Sequence, residues 1–467
     1  MPIDLRFDLT DVALFADLYE FTVSAAFFER QMNETAAFEV ALRRLPPNRG
    51  YMIAAGIERL IEALEEFRFD DQAIGHLDSL KLFKPEFLQF LAGLRFTGSV
   101  RALPEGTVFF AGEPIVEICA PLIEGQLIET LALNQVGFAT MVASKAARCF
   151  SAAGGRRLID FGPRRAQGAD AALIAARASY LAGFSGTASV AAGRRYGIPV
   201  YGTMSHSFVM AHERERQAFE DFTATFPRLN TLLVDTYDTL KGVQNAAEIG
   251  VKLRTAGSKL GGIRLDSGQL GDLAVRARRI LDQAGLGDVP IFASGNLDEY
   301  RITDLLGDRA PIDAFGVGTA LEVSDDAPAG DFTYKLVEYH GQPRMKLSAG
   351  KISTPGRKQI FRARNATGAC SADLVGLMDE STVTTTREFR PAPASVTAML
   401  ETQMESGRRK LPRPTLDESR SKTIAELQQL DARLKALRKP AEYPVRPTAA
   451  LNAMAISEKL RAEQRQE

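Results

Sequence analysis

The chain has 467 residues, with 57 lysines and arginines against 58 aspartates and glutamates, three cysteines and four histidines. Its length suggests two or three domains, each large enough to bury a core of its own. With 45% apolar and 25% charged residues, the composition is that of an ordinary globular protein, which argues against global disorder and a collagen-like repeat. The balanced charge also argues against a surface built to hold nucleic acid, so we expect no nucleic-acid partner.

The sequence predicts a cytoplasmic protein. Cys119, Cys149 and Cys370 are far apart, which fits a reducing compartment better than a disulfide framework. The first residues are acidic where a signal peptide would have a basic region, and the long uncharged stretch between Arg177 and Arg194 is too short and too weakly apolar to span a bilayer. We therefore expect no membrane segment.

Residues 1–130 are predicted to form an α+β domain. A helical opening from Asp11 to Arg30 is followed by more helix between Gly56 and Glu66. The remainder of this segment has the proline and glycine punctuation of strands and turns.

Residues 131–340 are predicted to form a (β/α) barrel, because short β-branched runs alternate there with helical stretches. The predicted strands are Leu158–Phe161, Ile198–Tyr201, Thr231–Asp235, Gly262–Asp266, Pro290–Ala293, Ala314–Val317 and Tyr334–Glu338. Polar and glycine-rich residues follow nearly every one of them. In a (β/α) barrel that end carries the active site, although turns and N-caps require the same residue types.

Two segments follow the predicted barrel. Residues 341–390 begin with a basic, turn-rich stretch that we expect to rejoin the N-terminal domain. Residues 391–467 are predicted to form a helical tail, with an apolar stripe between Ile424 and Leu437 that suits a packing or dimer face. The predicted fold class is therefore α/β, an irregular (β/α) barrel with an α+β N-terminal domain completed by a later segment and a helical C-terminal tail.

His206 follows a predicted strand end in the segment YGTMSHSFV, three residues after Thr203. A histidine there can be a general base, a metal ligand or a phosphoryl acceptor; alternatively it is an ordinary hydrogen-bonded histidine. His212 is expected to face solvent on a helix, His76 and His340 have no polar constellation around them, and no zinc-type spacing of Cys and His occurs. We therefore predict no metal ligands from the protein.

Phe161 and Arg164 follow another strand end, in DFGPRRAQG. A flat aromatic ring can stack a planar heterocycle, and a guanidinium matches carboxylate or phosphate geometry. The alternative is a core phenylalanine beside a solvated arginine.

Arg264, Asp266 and Ser267 lie in GIRLDSGQL. Residues two apart on a strand point to the same side, so Arg264 and Asp266 share a face. The carboxylate can accept hydrogen bonds from a ribose diol and the arginine can meet an anion; alternatively the two form a structural pair that closes the barrel. Gly295, and Gly318 with Thr319, stand at two more strand ends in patterns typical of phosphate-binding backbone, although short glycine patterns are weak signals.

Together these strand ends resemble those of nicotinate phosphoribosyltransferases, type II phosphoribosyltransferases of NAD salvage. The resemblance runs from DLYEFTVSAAF at Asp17 through DFGPRRAQG, GIPVYGTMSHSFV, GIRLDSGQL and AFGVGTAL to ISTPGRKQIFR at Arg362. It covers most of the chain before about residue 391 and rests on many motifs in one order.

The resemblance implies an enzyme that joins nicotinate to phosphoribosyl pyrophosphate, giving nicotinate mononucleotide and pyrophosphate, with ATP hydrolysed through a phosphohistidine. It places the phosphohistidine at His206 and the other catalytic roles at Asp266 and Arg264. It also implies Mg²⁺ on the polyphosphates and a homodimer with shared active sites. The implied substrate contacts are Tyr19, Phe161, Arg164, Thr203, Arg264, Ser267, Gly295, Gly318 and Thr319.

Two departures from the family pattern matter, the first for any metal-linked role at that position and the second for the substrate. Gln269 stands where the family commonly has an acid, and Ala188 stands where the nicotinamide-using relatives have an aspartate that accepts from the amide. A site without that acceptor, and with Arg264, should favour a carboxylate over an amide. The alternatives are a nicotinamide phosphoribosyltransferase, a quinolinate phosphoribosyltransferase, whose members are shorter, and a catalytically silent regulatory homologue.

Overall fold

The computed structural model describes residues 9–348 and 353–464. The chain forms two compact units, one built from Met1–Met141 together with Ala329–Glu467 and the other from Val142–Pro328. We call them unit 1 and unit 2. The basic turn predicted around residue 351 falls partly outside the described residues. None of the helices in the described part of the chain combines the length and apolarity needed to traverse a bilayer.

The strands, in chain order, are β1 (Thr35–Leu42), β2 (Met52–Ile53), β3 (Ser99–Ala102), β4 (Val108–Phe109), β5 (Pro114–Pro121), β6 (Arg157–Asp160), β7 (Gly186–Thr187), β8 (Thr231–Leu233), β9 (Gly262–Leu265), β10 (Ile291–Ala293), β11 (Ala314–Val317), β12 (Phe332–Tyr339), β13 (Gln342–Pro343), β14 (Lys358–Arg364), β15 (Cys370–Leu377), β16 (Ser395–Ala398), β17 (Glu401–Glu405), β18 (Arg408–Arg409) and β19 (Val445–Pro447). The α-helices are α1 (Leu18–Glu29), α2 (Ile57–Glu65), α3 (Asp71–Ser79), α4 (Pro85–Gly93), α5 (Leu122–Gln126), α6 (Glu129–Ala152), α7 (Ala169–Leu181), α8 (Val190–Tyr196), α9 (His206–Met210), α10 (Glu215–Thr225), α11 (Thr239–Thr255), α12 (Leu270–Gln283), α13 (Glu299–Gly307), α14 (Thr319–Glu322), α15 (Thr382–Thr386), α16 (Leu416–Gln429) and α17 (Ala449–Gln464).

Unit 1 contains a seven-stranded sheet whose order is β13-β12-β1-β5-β3-β17-β18. Its three central strands β1, β5 and β3 come from the early part of the chain and are flanked on both sides by later strands: β12 pairs antiparallel with β1, and β17 pairs antiparallel with β3. Phe38, Val40 and Leu42 of β1 are buried, which is the period-two pattern of a sheet with one face on a core. The early segment is thus completed by later strands.

A second sheet of unit 1 has the order β16-β14-β15-β19. It is tied together by Arg362 on β14 and Asp373 on β15, both fully buried, whose side chains approach to 2.7 Å. Beyond residue 391 the chain adds the helices α16 and α17 and also short strands. Helix α16 begins at a capping box made by Thr415 and Glu418, a common start signal for a helix.

Unit 2 contains a six-stranded parallel sheet whose order is β7-β6-β11-β10-β9-β8, with helices following its strands. All four residues of β11 are buried, as expected for a parallel strand covered on both faces. The predicted α/β class with a parallel β/α sheet is confirmed. All six carboxyl ends lie at one edge, where Asp160, Thr187, Asp235, Asp266, Ser294 and Gly318 stand at or just beyond the strand ends.

Two strand predictions were wrong. The segment Tyr334–Glu338, predicted in the parallel series, lies in β12 and pairs antiparallel with β1 in unit 1. Its mixed polar and apolar residues leave most of its positions half-buried, which suits an antiparallel strand rather than the interior of a parallel sheet. The segment Ile198–Tyr201 makes only an isolated pairing, between Val200 and Thr187 of the short, unpredicted strand β7.

Candidate active site

The carboxyl edge of the unit 2 sheet is curled, and this brings distant strand ends together. The Arg264 guanidinium lies 5.1 Å from the centre of the Phe161 ring, although β9 and β6, which carry them, have β10 and β11 between them. Three strand spacings would put the two backbones about 14 Å apart in a flat sheet. The curl and the long arginine side chain together make a compact site.

Arg264 is held by three side chains, two at the ends of β9 and β10 and one in the segment before α9. It donates from Nε to Ser294 Oγ at 2.7 Å, from Nη1 to Thr203 Oγ1 at 3.0 Å and from Nη2 to Asp266 Oδ1 at 2.7 Å. A guanidinium has five N–H donors, so these bonds fix its plane without using every donor. The arrangement presents an oriented cation to a ligand.

Asp266 is ionised and restrained. It accepts from Arg264 and from Ser294 Oγ, the latter at 2.6 Å. Burial alone would raise the pKa of Asp266, but the charge of Arg264 and the hydrogen bonds from Ser294 and Arg264 outweigh it, so this pKa lies below its usual range. The carboxylate therefore stays charged through the physiological range.

His206 is the first residue of the short helix α9, which Ser205 caps by accepting from the Phe208 amide. Its Nδ1 lies 3.1 Å from Thr236 Oγ1, and its Nε2 lies 3.7 Å from Asp266 Oδ2. The ring is partly exposed. Because Thr236 engages one ring nitrogen, the ring is oriented and the other nitrogen is turned toward the Asp266 carboxylate.

Asp235 joins the ends of β8 and β9. Its Oδ2 accepts from the Asp266 backbone amide at 3.1 Å and from Ser267 Oγ at 2.5 Å. The Ser267 hydroxyl therefore donates to Asp235 in this structure. The next residue after Asp235 is Thr236, so one short segment both anchors the β9 end and orients His206.

The two glycine positions differ in what surrounds them. Gly295 has φ +96°, and a Cβ there would come within 2.0 Å of the Asp266 carbonyl oxygen, so close packing of two strand ends already requires a glycine. At Gly318 a Cβ would meet the Phe161 carbonyl oxygen only at 3.5 Å, an ordinary contact. Packing does not explain Gly318, whereas close approach of a ligand to its backbone would.

Phe161 and Arg164 leave the β6 end in different directions. Phe161 is half-buried and packs at 5.2 Å against Phe292 on one side, with Arg264 near its ring on another. Arg164 is exposed in the short 3-10 turn Pro163–Arg165. The ring thus belongs to the Arg264 site, and the Arg164 side chain stands at its edge in solvent.

A cavity of about 140 Å³ lies within the curled sheet and reaches Phe161 and Thr203. Its other walls include Ile159, Tyr201 and Phe292. These side chains make the cavity mainly apolar, and it adjoins the Arg264 site through Phe161 and Thr203.

Tyr19 lies in unit 1, exposed on α1. Partial burial, and then the negative charge of Glu129 and the hydrogen bond to it, raise the pKa of the Tyr19 phenol. The neutral hydroxyl therefore serves as a hydrogen-bond donor.

Several residues of this edge were not singled out from the sequence as site residues: Asp160, Thr187, Thr236, Ser294 and Glu322. Thr236 and Ser294 directly follow predicted strands. That position alone could have marked them as candidate site residues. Among the described residues, no group of three or more His, Cys, Asp or Glu side chains is arranged to hold a metal ion.

Three family models match successive parts of the chain. They are the nicotinate phosphoribosyltransferase N-terminal domain over residues 14–137, the nicotinate phosphoribosyltransferase family over residues 156–358 and the nicotinate phosphoribosyltransferase C-terminal domain over residues 357–455. The matched segments follow one another along nearly the whole chain.

Curated relatives have similar lengths. Nicotinate phosphoribosyltransferase pncB2 of Mycobacterium tuberculosis is 48% identical over 435 residues, covering 93% of this chain and 91% of the relative. Nicotinate phosphoribosyltransferase of Bacillus subtilis is 37% identical, covering 93% of this chain and 92% of the relative. The human protein of that name is 31% identical, covering 95% and 96%.

Solved structures give the same picture. The crystal structure of human nicotinic acid phosphoribosyltransferase aligns with a TM-score of 0.84 at 30% identity, covering 95% of this chain and 99% of that one. The structure of nicotinate-nucleotide pyrophosphorylase from Pyrococcus furiosus aligns with a TM-score of 0.74 at 23% identity, covering 92% of this chain and 99% of that one. The two proteins share the fold.

Proposed function

The chain belongs to the nicotinate phosphoribosyltransferase family and is an enzyme of NAD salvage, and from this premise we propose which of its residues carry the reaction and how. The substrates are nicotinate and phosphoribosyl pyrophosphate, and the products are nicotinate mononucleotide and pyrophosphate. The observation that carries the proposal is the Arg264 network, which places an oriented cation, an ionised carboxylate and His206 at one edge of one sheet.

In the transfer step the pyridine nitrogen of nicotinate forms a bond to the ribose C1, and the bond from C1 to the pyrophosphate oxygen breaks. Positive charge develops on the ribose as pyrophosphate leaves. The Asp266 carboxylate, kept ionised by Arg264, holds the ribose hydroxyls and stabilises that charge. No protein nucleophile is needed.

Arg264 binds the carboxylate of nicotinate, assisted by Thr203, and Phe161 contacts the pyridine ring. A charge-assisted bond from a guanidinium to a carboxylate is stronger than a bond to a neutral amide. Ala188, exposed beside the β7 end, offers no side-chain acceptor for an amide NH₂. These two features select nicotinate over nicotinamide.

The phosphoribosyl group is held by Arg164, Ser267, Gly295, Gly318 and Thr319. The support for Gly318 is that a Cβ there would make only ordinary contacts, so packing does not require the glycine, whereas close approach of a phosphate to its backbone would. Mg²⁺ on the polyphosphates would be held by their oxygens and water, since the described residues include no group of three or more His, Cys, Asp or Glu arranged to hold it.

His206 takes the γ-phosphoryl group of ATP and ADP leaves; water later takes the phosphoryl group from the histidine. Because Thr236 lies at Nδ1, we assign the transfer to Nε2. The phosphorylated ring carries about −1.5 to −2 units of charge close to Asp266, which alters the affinity of the site for pyrophosphate. ATP hydrolysis is thereby coupled to the direction of the transfer.

We further propose a cytoplasmic homodimer in which Tyr19 serves a site shared between subunits. Cys119, Cys149 and Cys370 are all free thiols, which suits a reducing compartment. Tyr19, exposed on α1 and kept neutral, is suited to contact a ligand held by another chain.

Substrate selection gives the direct test. Purified protein with phosphoribosyl pyrophosphate and Mg²⁺ is given nicotinate, nicotinamide or quinolinate, with and without ATP. We expect turnover with nicotinate, at least about 100-fold above the other two in kcat/KM, and an increase when ATP is present. Mononucleotide and pyrophosphate formation are measured separately. Equal turnover with nicotinamide would refute the role given to Arg264 and Ala188, and no turnover with any base would favour a silent homologue.

Replacing His206 with alanine should abolish the ATP effect while leaving the basal transfer measurable, because the variant lacks the phosphoryl acceptor but keeps Arg264 and Asp266. The readouts are ADP release and nicotinate mononucleotide formation in the same reaction. His212→Ala is the matched control: His212 follows α9, bonds the Phe208 carbonyl and Asp221, and should keep the coupling. ATP stimulation that survives in His206→Ala would remove His206 from this role.

A further inference from the structure

Two buried carboxyl groups lie near the carboxyl edge of the unit 2 sheet. Asp160 ends β6 and is fully buried, and Glu322 lies in α14 with only 1% of its surface exposed. The two carboxyl groups lie close enough to interact with each other. Asp160 also accepts from Thr187 Oγ1 at 2.6 Å and from the Gly162 amide at 2.9 Å.

The charges at this contact require a proton. Neither carboxyl oxygen of Glu322 has a hydrogen-bond donor among the described residues, so a hydrogen bond to Asp160 can form only if one carboxyl is protonated. Burial first, and then the negative charge of Asp160, raise the pKa of Glu322 to about 10. Two adjacent buried carboxylates without a counterion would repel strongly.

Among the described residues, no cation acts on either carboxyl group of the pair. The 3-10 turn beside α14 carries Arg164 and Arg165, both exposed, and α7 carries Asp170 and Arg177. The charged group that acts on Glu322 is Asp160.

The pair connects three loops at the carboxyl edge of the sheet: Gly162–Arg165, Thr187–Ser189 and Gly318–Glu322. A Cβ at Gly162 would lie 2.1 Å from Glu322 Cγ and 2.8 Å from the Gly318 carbonyl oxygen, so the first and third loops are in close contact. The second loop is joined through the hydroxyl of Thr187 and through the Ala188 amide, which donates to the Asp160 carbonyl.

We propose that Asp160 and Glu322 share one proton and that this protonated pair fastens the three loops, making Glu322 a positioning residue for the phosphoribosyl substrate. The substrate assignment rests on the function proposed above, since the same loops carry Arg164, Gly318 and Thr319. The shared proton is independent of that assignment, since it is argued from the burial of both carboxyl groups and from the lack of a donor to Glu322 among the described residues.

The test compares Glu322→Gln with Glu322→Leu. The amide NH₂ of glutamine can donate to Asp160 as the protonated carboxyl does, whereas leucine keeps the volume and leaves Asp160 as a buried anion without that donor. We expect Glu322→Gln to keep the KM for phosphoribosyl pyrophosphate within about two-fold, and Glu322→Leu to raise it by about ten-fold or more with a smaller change in kcat. Equal KM values in wild type and Glu322→Leu, or an equal rise in both variants, would overturn the positioning role.

An infrared measurement keeps the proposal testable even if Glu322→Leu fails to fold. In D₂O near neutral pH, wild type should show the carbonyl stretch of a protonated carboxyl group, and Glu322→Gln should lose that band. A spectrum in which the two proteins do not differ there would refute the shared proton. If wild type shows the band but makes no nicotinate mononucleotide, the proton is upheld and the proposed function fails.

Discussion

Replacing Arg264 with glutamine is expected to lower kcat/KM for nicotinate by about 100- to 1,000-fold. The variant loses charge-assisted hydrogen bonds to the substrate carboxylate, a loss of about 3–4 kcal/mol at a site whose cation is already oriented. The same change should lower kcat/KM for nicotinamide much less, because the neutral amide of nicotinamide forms no ion pair with Arg264. Steady-state kinetics with nicotinate and with nicotinamide measure both effects. The ratio of the two kcat/KM values should fall by nearly as much as kcat/KM for nicotinate itself.

Arg264→Lys and Arg216→Gln complete the experiment. Lysine keeps the charge but loses the planar fork that Ser294 and Thr203 hold, so its activity should lie between wild type and the glutamine variant. Arg216 on α10 pairs with Glu248 at the surface, and its replacement should leave kcat/KM within about two-fold. If Arg264→Gln lost thermal stability but kept its kcat/KM, the pair with Asp266 would be structural, closing the sheet rather than binding substrate.

Glu322→Gln is expected to become progressively more stable than wild type as pH rises. Glu322 has its folded pKa raised to about 10, whereas in the unfolded chain it titrates near 4.5, its ordinary value. Between these values the unfolded chain has lost the proton and the folded protein keeps it, so wild-type stability falls with pH. Glutamine does not titrate, and the difference in unfolding free energy should grow by about 1.4 kcal/mol per pH unit.

Urea unfolding of both proteins, repeated from about pH 6 to about pH 9, measures this slope. Glu213→Gln, at an exposed position just before α10, is the matched control for removing one carboxylate. A difference between Glu322→Gln and wild type that stays constant over the range would mean that Glu322 is ionised in the folded protein, contrary to the shared proton.

Some of this site follows from local rules. Arg264 and Asp266 are two residues apart on one strand, and the period of a strand puts them on one face whatever the rest of the fold does; their side chains do bond to each other. The parallel sheet likewise follows from alternation of strand and helix signals within short windows of sequence.

Other features depend on contacts between distant residues and could not be read locally. Thr236 reaches His206 across 30 positions, and only the sheet order makes their loops neighbours. Glu322 looks like a solvated residue of a short helix; it is buried because Gly162, lacking a side chain, leaves room for it. Strand β12 was misassigned for the same reason, since its partner β1 lies almost 300 residues earlier in the chain.

The seven-stranded sheet of unit 1, in which late strands flank early ones, has a consequence for biosynthesis. Every strand of unit 2 has been made once residue 317 is synthesised, so that unit can fold on the ribosome. Unit 1 must wait, because β3 gains its neighbour β17 only when residues 401–405 appear. At about 5–20 residues per second, its first 141 residues spend roughly 10 seconds or more without their final partners. The N-terminal segment is therefore the part of the nascent chain most in need of protection by chaperones.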